Sequence, residues 1–269
     1  MSDKYCVIGN PIAHSKSPEI HPVYAAQTGQ DLVYERCLAP LDGFAATVQR
    51  LVAEGYRGAN VTLPFKIEAA QVCTRLEERA RAAGAVNTLS FDKGEIIGDN
   101  TDGPGLVADI TRNAGVAIAG KRVLLLGAGG AARGALLPII QQQPREIVIA
   151  NRTVATAEAL ARDFARYGIP VSATGFAEIA GSFDIVVNAT SGSLAGELPP
   201  VPAAVFGPGS LALDMMYGSR PTVFMDFASQ AGAATRDGLG MLVEQAAEAF
   251  AIWRGVRPDT AEVFRKMRP

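Results

Sequence analysis

Short apolar runs alternate with stretches of helical periodicity along most of the chain. Runs rich in β-branched and other apolar residues predict eight strands, at residues 5–8, 32–38, 58–62, 88–91, 123–126, 147–150, 185–188 and 211–214. Between them, apolar residues that recur every three or four positions predict helices, most clearly at 44–54, 155–166 and 242–253. This alternation favours an α/β fold with parallel sheets and helical crossovers.

A segment of turn-forming residues interrupts the alternation near the middle of the chain. Residues 92–105 (DKGEIIGDNTDGPG) contain a turn, a short strand and a cluster of Asp, Asn, Thr and Gly. We therefore expect two α/β domains with a junction near Gly103. The amphipathic pattern at 242–253 could pack on either of them.

Composition and charge narrow the class of protein. Hydrophobic residues make up 48% and charged residues 19% of the chain, as in ordinary soluble domains. A net charge of −2 provides no basic field for nucleic acid. The longest apolar stretch, 123–140, is interrupted by Arg133, and the N-terminus lacks the apolar core of a signal peptide. We expect a cytoplasmic protein with no nucleic-acid or membrane partner.

The cysteines and histidines do not predict a metal site or a disulfide framework. Cys6, Cys37 and Cys73 are far apart and show no CxxC spacing, and the chain has only two histidines. Our expectation is that the protein holds no metal.

The strongest local motif is a strand that leads into a glycine-rich turn and then a helix. Residues 122–140 read RVLLLGAGGAARGALLPII, and the turn Gly127–Ala132 matches G-x-G-x-x-A, a form of the dinucleotide fingerprint. Gly127 would permit the tight turn, Gly129 the approach of a pyrophosphate, and Ala132 close packing of the helix on the strand. The alternative is a tight turn that binds nothing.

The next predicted strand indicates which nucleotide is bound. NAD-binding proteins carry an acid at the end of this strand for the ribose 2′-hydroxyl. Here the strand ends in Asn151-Arg152-Thr153, and a guanidinium suits a 2′-phosphate instead. The sequence therefore favours NADP, although Arg152 could also be an ordinary surface residue.

Three polar segments have both a structural and a functional interpretation. Ser15 and Ser17 precede Pro18, so Ser17 could cap a helix, or the paired hydroxyls could hold a small carboxylate. Asp102 in DNTDG could form a cap or an Asx turn. Thr190 follows a predicted strand end in the second domain, where ligands bind in such sheets.

Lys66 occupies an unfavourable position. In the segment GANVTLPFK (58–66), Pro64 marks the expected start of a helix, which places Lys66 in the first turn. A helix start is electropositive and repels a cation, so a lysine there is a candidate for a functional group. The alternative is a surface lysine whose stem crosses the first turn to reach water.

Nine segments together resemble the shikimate dehydrogenase family. They are IGNPIAHSKSP, NVTLPFK, AVNTL, GDNTDG, GAGGAARG, NRT, NATS, LDMMYG and DGLGMLVEQAAEAFAIW, and they extend from Ile8 to about Pro258. Where many relatives have two serines before a glycine, this chain has Ser191-Gly192-Ser193.

The resemblance implies an NADP-dependent oxidoreductase that interconverts 3-dehydroshikimate and shikimate in aromatic amino-acid biosynthesis. It implies a substrate-binding domain at 1–103 and 239–269, with the last helices returning to it, and a Rossmann-type NADP-binding domain at 104–238. Lys66 and Asp102 would be the catalytic acid–base pair beside the reacting C3 oxygen. The protein would act on this small-molecule substrate as a monomer or homodimer.

The resemblance also implies the positions that bind each ligand. The implied substrate-binding residues are Ser15, Ser17, Thr62, Lys66, Asn87, Asp102, Tyr217 and Gln245. The implied cofactor-binding residues are Gly127, Ala128, Gly129, Gly130, Ala131, Asn151, Arg152, Thr153, Thr190, Met215 and Gly238. Two rival interpretations are a quinate enzyme of the same fold that uses NAD, and a non-catalytic regulator that binds NADP or shikimate.

Overall fold

The computed structural model describes residues 2–268, and the chain divides into two compact units. The first unit comprises Met1–Gly105 together with Val243–Pro269, and the second comprises Leu106–Leu242. Each unit contains its own six-stranded sheet. The α/β class predicted from the alternating pattern is confirmed.

The first unit contains every predicted strand of its part of the chain and five helices before the second unit begins. Its strands are β1 (Asp3–Gly9), β2 (Leu32–Leu38), β3 (Tyr56–Val61), β4 (Arg75–Leu76), β5 (Thr88–Asp92) and β6 (Glu95–Asp99). Its helices are α1 (Ser17–Thr28), α2 (Phe44–Ala53), α3 (Lys66–Val72), α4 (Glu78–Ala83) and α5 (Asp102–Ala108), the last of which runs on into the second unit.

The first sheet is mixed, which corrects the expectation of parallel sheets. Its strand order is β2-β1-β3-β5-β6-β4, and β5 runs antiparallel to both β3 and β6. The antiparallel β5–β6 pair follows from the two-residue connection between them, where Lys93 and Gly94 have φ of 47° and 86°. Such left-handed pairs form tight hairpins, so the chain reverses here instead of crossing over.

The second unit begins with the end of α5, continues through a π-helical turn and contains a parallel crossover pattern. The turn is Asp109–Asn113, and the strands are β7 (Arg122–Leu126), β8 (Glu146–Ala150), β9 (Val171–Thr174), β10 (Phe183–Asn188), β11 (Phe206–Asp214) and β12 (Ala234–Arg236). The helices are α6 (Gly130–Ile140), α7 (Val154–Phe164) and α8 (Val223–Gln230). The chain ends in α9 (Leu239–Arg254) and α10 (Ala261–Met267).

The second sheet is parallel throughout and reverses its direction of growth at β7. The strand order is β12-β11-β10-β7-β8-β9, and all the pairs are parallel. The chain adds β8 and β9 on one side of β7 and then returns to add β10 to β12 on the other. In sheets of this kind, ligands bind at the carboxyl ends of the strands on either side of that switch point.

Burial explains why the central strands form where they do. β1 is buried continuously from Tyr5 and lies between two neighbours, whereas β2 is mostly exposed and forms the sheet edge. In the second unit, β7 is buried from Val123 to its end and is likewise central. Strands that are covered on both faces need side chains that are apolar on both faces.

The stripe predicted on the last long helix is buried against the first unit. Val243, Ala246 and Phe250 of α9 are fully buried. Trp253 stacks on Tyr5 with 4.6 Å between ring centroids, and its indole nitrogen donates to the Leu89 carbonyl at 3.0 Å.

Residues 2–268 show neither a membrane-spanning helix nor a metal-binding cluster. No helix in that range combines the length and apolar character needed to cross a bilayer. The same residues contain no cluster of three or more His, Cys, Asp or Glu side chains arranged to hold a metal ion.

His21 is enclosed by aromatic rings inside the first unit. Its ring is fully buried and stacks on Tyr34 at 4.1 Å between centroids, with an interplanar angle of 6°. Neither ring nitrogen has a hydrogen-bond partner among the described residues. Burial lowers the pKa of His21 from 6.5 to about 3, because the charged form cannot be solvated there.

The buried histidine makes stability depend on pH. Because the unfolded chain binds a proton on His21 that the folded chain does not, the free energy of unfolding falls as pH drops below about 6.5. Between that pH and about pH 4 the loss is about 3 kcal/mol. We expect His21→Phe to remove this part of the decrease, measured as unfolding free energy against pH. The matched control is His14→Phe at the exposed histidine, and an equal flattening in both variants would contradict the assignment.

Candidate active site

Lys66 opens α3, and its side chain meets Asp102, which opens α5. Lys66 Nζ lies 2.6 Å from Asp102 Oδ2, and the two side chains are 29% and 23% exposed. The helix start predicted at Pro64 is wrong, because Phe65 is the N-cap and Lys66 the first helical residue. The residues before it form a turn in which the Phe65 N–H donates to the Thr62 carbonyl at 3.0 Å. The lysine nevertheless lies in the first turn, as predicted.

The backbone on either side of Lys66 is held by packing and hydrogen bonding. Phe65 is buried and stacks on Phe44 with 4.9 Å between ring centroids. The Val86 N–H donates to the Lys66 carbonyl at 2.8 Å. The direction in which the lysine side chain leaves α3 is therefore set by the core of the first unit.

The carboxylate of Asp102 is occupied on both oxygens. Oδ2 accepts from Lys66, and Oδ1 accepts from Asn87 Nδ2 at 2.8 Å. The Asx turn at this point is formed by Asn100, whose Oδ1 accepts from the Asp102 N–H at 3.1 Å. The cap interpretation of Asp102 is therefore wrong, and its carboxylate is free to orient the lysine.

Asn87 is the centre of a buried polar network. Its Nδ2 donates to Thr101 Oγ1 at 2.9 Å and to Gln245 Oε1 of α9 at 3.4 Å, in addition to Asp102. Its Oδ1 accepts from the Thr101 N–H and from Thr88 Oγ1, both at 2.8 Å. The structure thus brings together four residues implied by the family resemblance, namely Lys66, Asn87, Asp102 and Gln245.

Asn60, Thr88 and Tyr34 form a second set of buried polar side chains that hold Asn87 in place. Asn60 lies directly opposite Thr88 in the sheet, and its Nδ2 donates to Thr88 Oγ1 and to the Asn87 carbonyl, both at 3.2 Å. Tyr34 OH donates to Asn60 Oδ1 at 2.6 Å. Burial raises the pKa of Tyr34 well above its usual value, so the phenol stays a donor.

Our sequence interpretation did not include Asn60, Thr88 or Thr101 in the site. A usable signal was present, because Asn60 and Thr88 are polar residues next to the apolar residues of predicted strands. A buried polar group of this kind needs a partner, and these residues are partners of one another.

Ser15 and Ser17 lie at the start of α1, and the cap interpretation of Ser17 is wrong. The helix begins at Ser17 itself, with Lys16 as the N-cap and no side-chain capping bond. The Ser17 N–H donates to Ser15 Oγ at 3.4 Å, and the Ser15 carbonyl accepts from Arg36 at 2.7 Å. The two serines therefore form one local group, in which Ser15 Oγ accepts the N–H of the first helical residue and the Ser17 hydroxyl caps nothing.

The serine loop and the lysine loop leave the same edge of the first sheet. Ile8 pairs with Val61, and the Thr62 N–H donates to the Ile8 carbonyl at 2.9 Å. A Cβ placed on Gly9 would lie 2.6 Å from Thr62 Cγ2, so glycine is needed for this approach. The carboxyl ends of β1 and β3 thus start the two loops side by side.

In the second unit, the glycine-rich turn has the form that its sequence predicted. Gly127 has φ of +101°, and a Cβ there would lie 3.1 Å from Thr190 Cγ2, on the loop after β10. Around Gly129, no described protein atom lies within 4 Å of the Cβ position. Ala132 is fully buried. A cradle of this kind fits a nucleotide pyrophosphate, with the backbone N–H groups at the start of α6 as donors.

Four strands of the second sheet end at the same level. Leu126 pairs with Ala150 and with Asn188, and Asn188 pairs with Asp214. Because the strands are parallel, the residues that follow them meet at one edge of the sheet. That edge carries most of the implied cofactor-binding residues: Gly127, Ala128, Gly129, Gly130, Ala131, Asn151, Arg152, Thr153, Thr190 and Met215.

Arg152 is placed to meet a charged group at this edge. It is exposed and has no hydrogen bond or ion pair with any of residues 2–268. Asn151 Nδ2 donates to the Thr153 carbonyl at 2.9 Å, which orders the turn around it. An uncompensated guanidinium at the end of β8 fits a ribose 2′-phosphate better than a neutral 2′-hydroxyl.

A buried carboxylate ties together the loops after β10 and β11. Asp214 Oδ2 accepts from Ser193 Oγ at 2.6 Å and from Thr222 Oγ1 at 2.7 Å. Asn188 Oδ1 accepts from Thr190 Oγ1 at 2.7 Å, and its Nδ2 donates to Ser193 Oγ at 3.1 Å. Ser193 therefore fixes the loop that carries Thr190.

The two remaining implied residues of the second unit lie close in the chain to this loop. Gly238 approaches Met215 so closely that a Cβ would overlap the Met215 carbonyl, which explains the glycine. Tyr217 is 41% exposed, and partial burial raises the pKa of its phenol. Tyr217 belongs to the second unit, whereas the serine group at the start of α1 belongs to the first.

A dinucleotide-type sheet edge in one unit and a lysine–carboxylate pair in the other are typical of nucleotide-dependent dehydrogenases. Three family models match the chain in order. They describe a shikimate dehydrogenase substrate binding domain at residues 7–89, a shikimate/quinate 5-dehydrogenase at residues 109–195, and a shikimate 5′-dehydrogenase C-terminal domain at residues 238–266.

Individual proteins agree with the family models. The shikimate dehydrogenase (NADP⁺) of Herminiimonas arsenicoxydans is 62% identical over 268 residues, which cover 100% of this chain and 98% of the relative. An Ael1 enzyme from Pseudomonas putida superposes with a TM-score of 0.94 at 49% identity, over 98% of both chains. Shikimate 5-dehydrogenase from Thermus thermophilus, in complex with NADP(H) and shikimate, gives 0.85 at 30% identity, over 98% of this chain and 99% of that chain. The chain belongs to the shikimate dehydrogenase family.

The hydrogen bond from Tyr34 to Asn60 leads to a stability prediction. Tyr34→Phe removes the donor to Asn60 Oδ1 and leaves a buried acceptor unpaired, which costs about 1–3 kcal/mol. We expect the free energy of unfolding in urea to fall by that amount.

The control for this prediction is a tyrosine with an exposed partner. Tyr56 OH donates to Glu35 Oε2 at 2.6 Å in an exposed pair, so water can replace the bond in Tyr56→Phe. An equal loss of stability in the two variants would show that the buried network is not what Tyr34 supports.

Proposed function

We propose that the chain is an NADP-dependent shikimate dehydrogenase in which Lys66 and Asp102 handle the proton of the reaction. The reaction interconverts 3-dehydroshikimate and shikimate, in aromatic amino-acid biosynthesis. The observation that carries the catalytic assignment is the 2.6 Å pair between Lys66 Nζ and Asp102 Oδ2, half-buried at the edge of the first sheet.

Lys66 supplies what the reacting oxygen needs. NADPH, when bound, would supply a hydride to the ketone carbon, which would leave negative charge on the C3 oxygen. An ammonium beside that oxygen stabilises the charge and donates a proton to it. In the oxidative direction the neutral amine accepts the hydroxyl proton.

Asp102 acts through its contact with the lysine. Because its other oxygen is held by Asn87, the carboxylate cannot rotate away without breaking a 2.8 Å hydrogen bond. It therefore keeps the ammonium in one orientation, and its negative charge offsets the cost of a cation at the start of α3. A proton transfer needs this kind of fixed geometry.

The remaining polar residues of the first unit are proposed to bind the substrate. Ser15 and Ser17 hold its carboxylate through their hydroxyls. Thr62, Asn87 and Gln245 contact the ring and its hydroxyls, since each lies beside the catalytic pair or bonds to a residue that does.

NADP binds along the carboxyl edge of the second sheet. The turn 127–131 and the start of α6 receive the pyrophosphate, and the segment Asn151–Thr153 receives the 2′-phosphate. The loops after β10, β11 and β12 lie on the other side of β7 from Asn151–Thr153, and they carry Thr190, Met215 and Gly238. The nicotinamide half would lie there. The open backbone at Gly129 and the unpaired Arg152 support this fit.

Neither rival interpretation is favoured. The curated relatives at 55–62% identity are named as NADP⁺ enzymes, and no acid follows β8. A silent regulator would have no use for the Lys66–Asp102 pair. A cytoplasmic location and a monomeric or homodimeric state stay predictions.

Removing the lysine should abolish most of the turnover. Lys66→Ala is expected to lower kcat by roughly 10²–10⁴-fold, the usual contribution of one acid–base group. Lys66→Arg should be almost as slow, because a guanidinium keeps the charge but does not release its proton. The readout is NADPH absorbance under saturating shikimate and NADP⁺.

The control for the lysine variants is Lys121→Ala, at a more exposed ion pair in the second unit. It should keep the rate of the unchanged protein. If Lys66→Arg also retained that rate, Lys66 would supply charge alone, and the proton-transfer role would be lost.

Replacing Arg152 with an acidic residue should reduce the preference for NADP⁺ over NAD⁺. We expect Arg152→Asp to weaken NADP⁺ binding by roughly 10–100-fold, the loss of a charge-assisted hydrogen bond, with a much smaller effect on NAD⁺. The measurement is initial rate with shikimate or quinate, each with NADP⁺ and NAD⁺. Arg162→Asp at the exposed end of α7 makes the same change in net charge elsewhere. Equal losses for the two nucleotides would contradict the 2′-phosphate assignment.

A further inference from the structure

One arginine of the first unit donates to carboxylates on two elements that carry residues of the candidate active site. Arg79 of α4 donates from Nε and Nη2 to the two carboxylate oxygens of Asp99, the last residue of β6, at 2.6 and 2.9 Å. Its Nη1 donates to Glu248 Oε1 of α9 at 3.0 Å. The side chains of Arg79, Asp99 and Glu248 are 24%, 10% and 25% exposed, so their charges are screened less than those of a surface pair.

Asp99 connects Arg79 to Asn87. The Asp99 carbonyl accepts from the Asn87 N–H at 3.1 Å. Asp99 Oδ1 also accepts from the Asn100 N–H at 2.7 Å. A carboxylate held by two parallel N–H groups of one guanidinium has a fixed direction. Arg79 therefore fixes the end of β6 to which the backbone of Asn87 is bonded.

Glu248 connects Arg79 to Gln245. The two residues are three apart on α9, so their side chains lie on the same face of the helix. Gln245 Oε1 accepts from Asn87 Nδ2 at 3.4 Å and from Thr101 Oγ1 at 3.5 Å. Both distances are near the upper limit for a hydrogen bond, so a small rotation of α9 would break these contacts.

A second arginine holds the other oxygen of Glu248. Arg257 Nη1 donates to Glu248 Oε2 at 2.6 Å, and its Nη2 donates to Glu244 Oε2 at 2.7 Å. Glu244 is buried, and its Oε1 accepts from Thr260 Oγ1 at 2.8 Å. Carboxylates four residues apart on a helix repel each other, and Arg257 bridges these two. Because a guanidinium holds each oxygen of Glu248, the carboxylate has one orientation.

The apolar side of α9 does not set this geometry by itself. Val243, Ala246 and Phe250 are fully buried and attach the helix to the first unit. Apolar burial is non-directional, so it fixes the contact but not the rotation of the helix to within a hydrogen-bond length. The donors of a guanidinium form a rigid planar fork, which does define a direction.

We propose that Arg79 is a positioning residue that sets the distance between Asn87 and Gln245. It holds Asn87 through Asp99, and it holds Gln245 through Glu248. In the proposed function, on which this role rests, those two amides contact the ring hydroxyls of the substrate. Arg79 thus determines how well the site fits those hydroxyls without touching the substrate itself.

Breaking the link to α9 should weaken substrate binding more than it slows turnover. Glu248→Gln removes the negative charge that receives Arg79, whereas the Lys66–Asp102 pair does not involve Glu248. We expect the KM for shikimate to rise roughly 3–10-fold, the loss of about one hydrogen bond, with kcat within about twofold. The measurement is initial rate from NADPH absorbance, with shikimate varied at saturating NADP⁺. The KM for NADP⁺ should not change.

A double-mutant cycle separates positioning from general support of the fold. Gln245→Ala removes the amide that is positioned and should raise the KM for shikimate by itself. Adding Glu248→Gln to that variant should then have no further effect. If Glu248→Gln raised KM by the same factor with and without Gln245, it would act independently of that amide, and the proposal would be wrong.

Arg79→Lys provides a second variant, and Glu262→Gln a control. A lysine keeps a cation beside Asp99 but lacks the fork that reaches both carboxylates, so it should raise the KM for shikimate by a similar factor. Glu262→Gln removes one negative charge from an exposed pair with Lys266 on α10 and should leave KM unchanged.

The outcomes distinguish this role from the proposed function. An unchanged protein that does not oxidise shikimate with NADP⁺ would overturn both. An active unchanged protein, with the KM for shikimate unaltered in Glu248→Gln and Arg79→Lys, would overturn the positioning role alone. A fall in kcat at constant KM would also contradict it.

Discussion

The structure depends on a cation held where a helix repels one. Lys66 is the first residue of α3, where the exposed N–H groups make the helix end positive. Asp102, 2.6 Å away, makes the position tolerable, and it lies at the start of α5, where an anion is stabilised. The carboxylate at the start of α5 therefore offsets the unfavourable charge at the start of α3, and this ion pair links the two helices. The network around Asn87 keeps the carboxylate in place, so the rest of the site in the first unit is organised around one ion pair.

The strands and the Lys66 position could be predicted because they follow from local rules. Runs rich in apolar and β-branched residues marked the eight predicted strands, and a lysine after a proline marked an unfavourable helix start. The short strands β4, β9 and β12 escaped prediction because two to four mixed residues carry no periodicity. The supporting residues Asn60, Thr88 and Thr101 were also missed, since partners distant in the chain are not visible in a pattern.

In the second unit, one segment that differs from the family pattern is held in place by contacts that are visible only in the folded chain. The departure lies at Ser191-Gly192-Ser193, where Ser193 comes after the glycine. In the folded chain the Ser193 hydroxyl donates to the buried Asp214 and accepts from Asn188. Both partners end neighbouring strands, β10 and β11, at paired positions. The loop is thus tied to the sheet edge by the strand ends themselves.

Whether lysine or arginine forms each ion pair agrees with the proposed chemistry. Asp109 is fully buried and held by both Nη2 and Nε of Arg236, at 2.6 and 3.0 Å, and the buried Glu244 is held by Arg257 at 2.7 Å. A guanidinium does not lose its proton, so these pairs are permanent and can be buried. Lys66 and Asp102 keep about a quarter of their side-chain surface exposed. A lysine in contact with water can give up a proton and regain one, which a pair sealed in the core could not do.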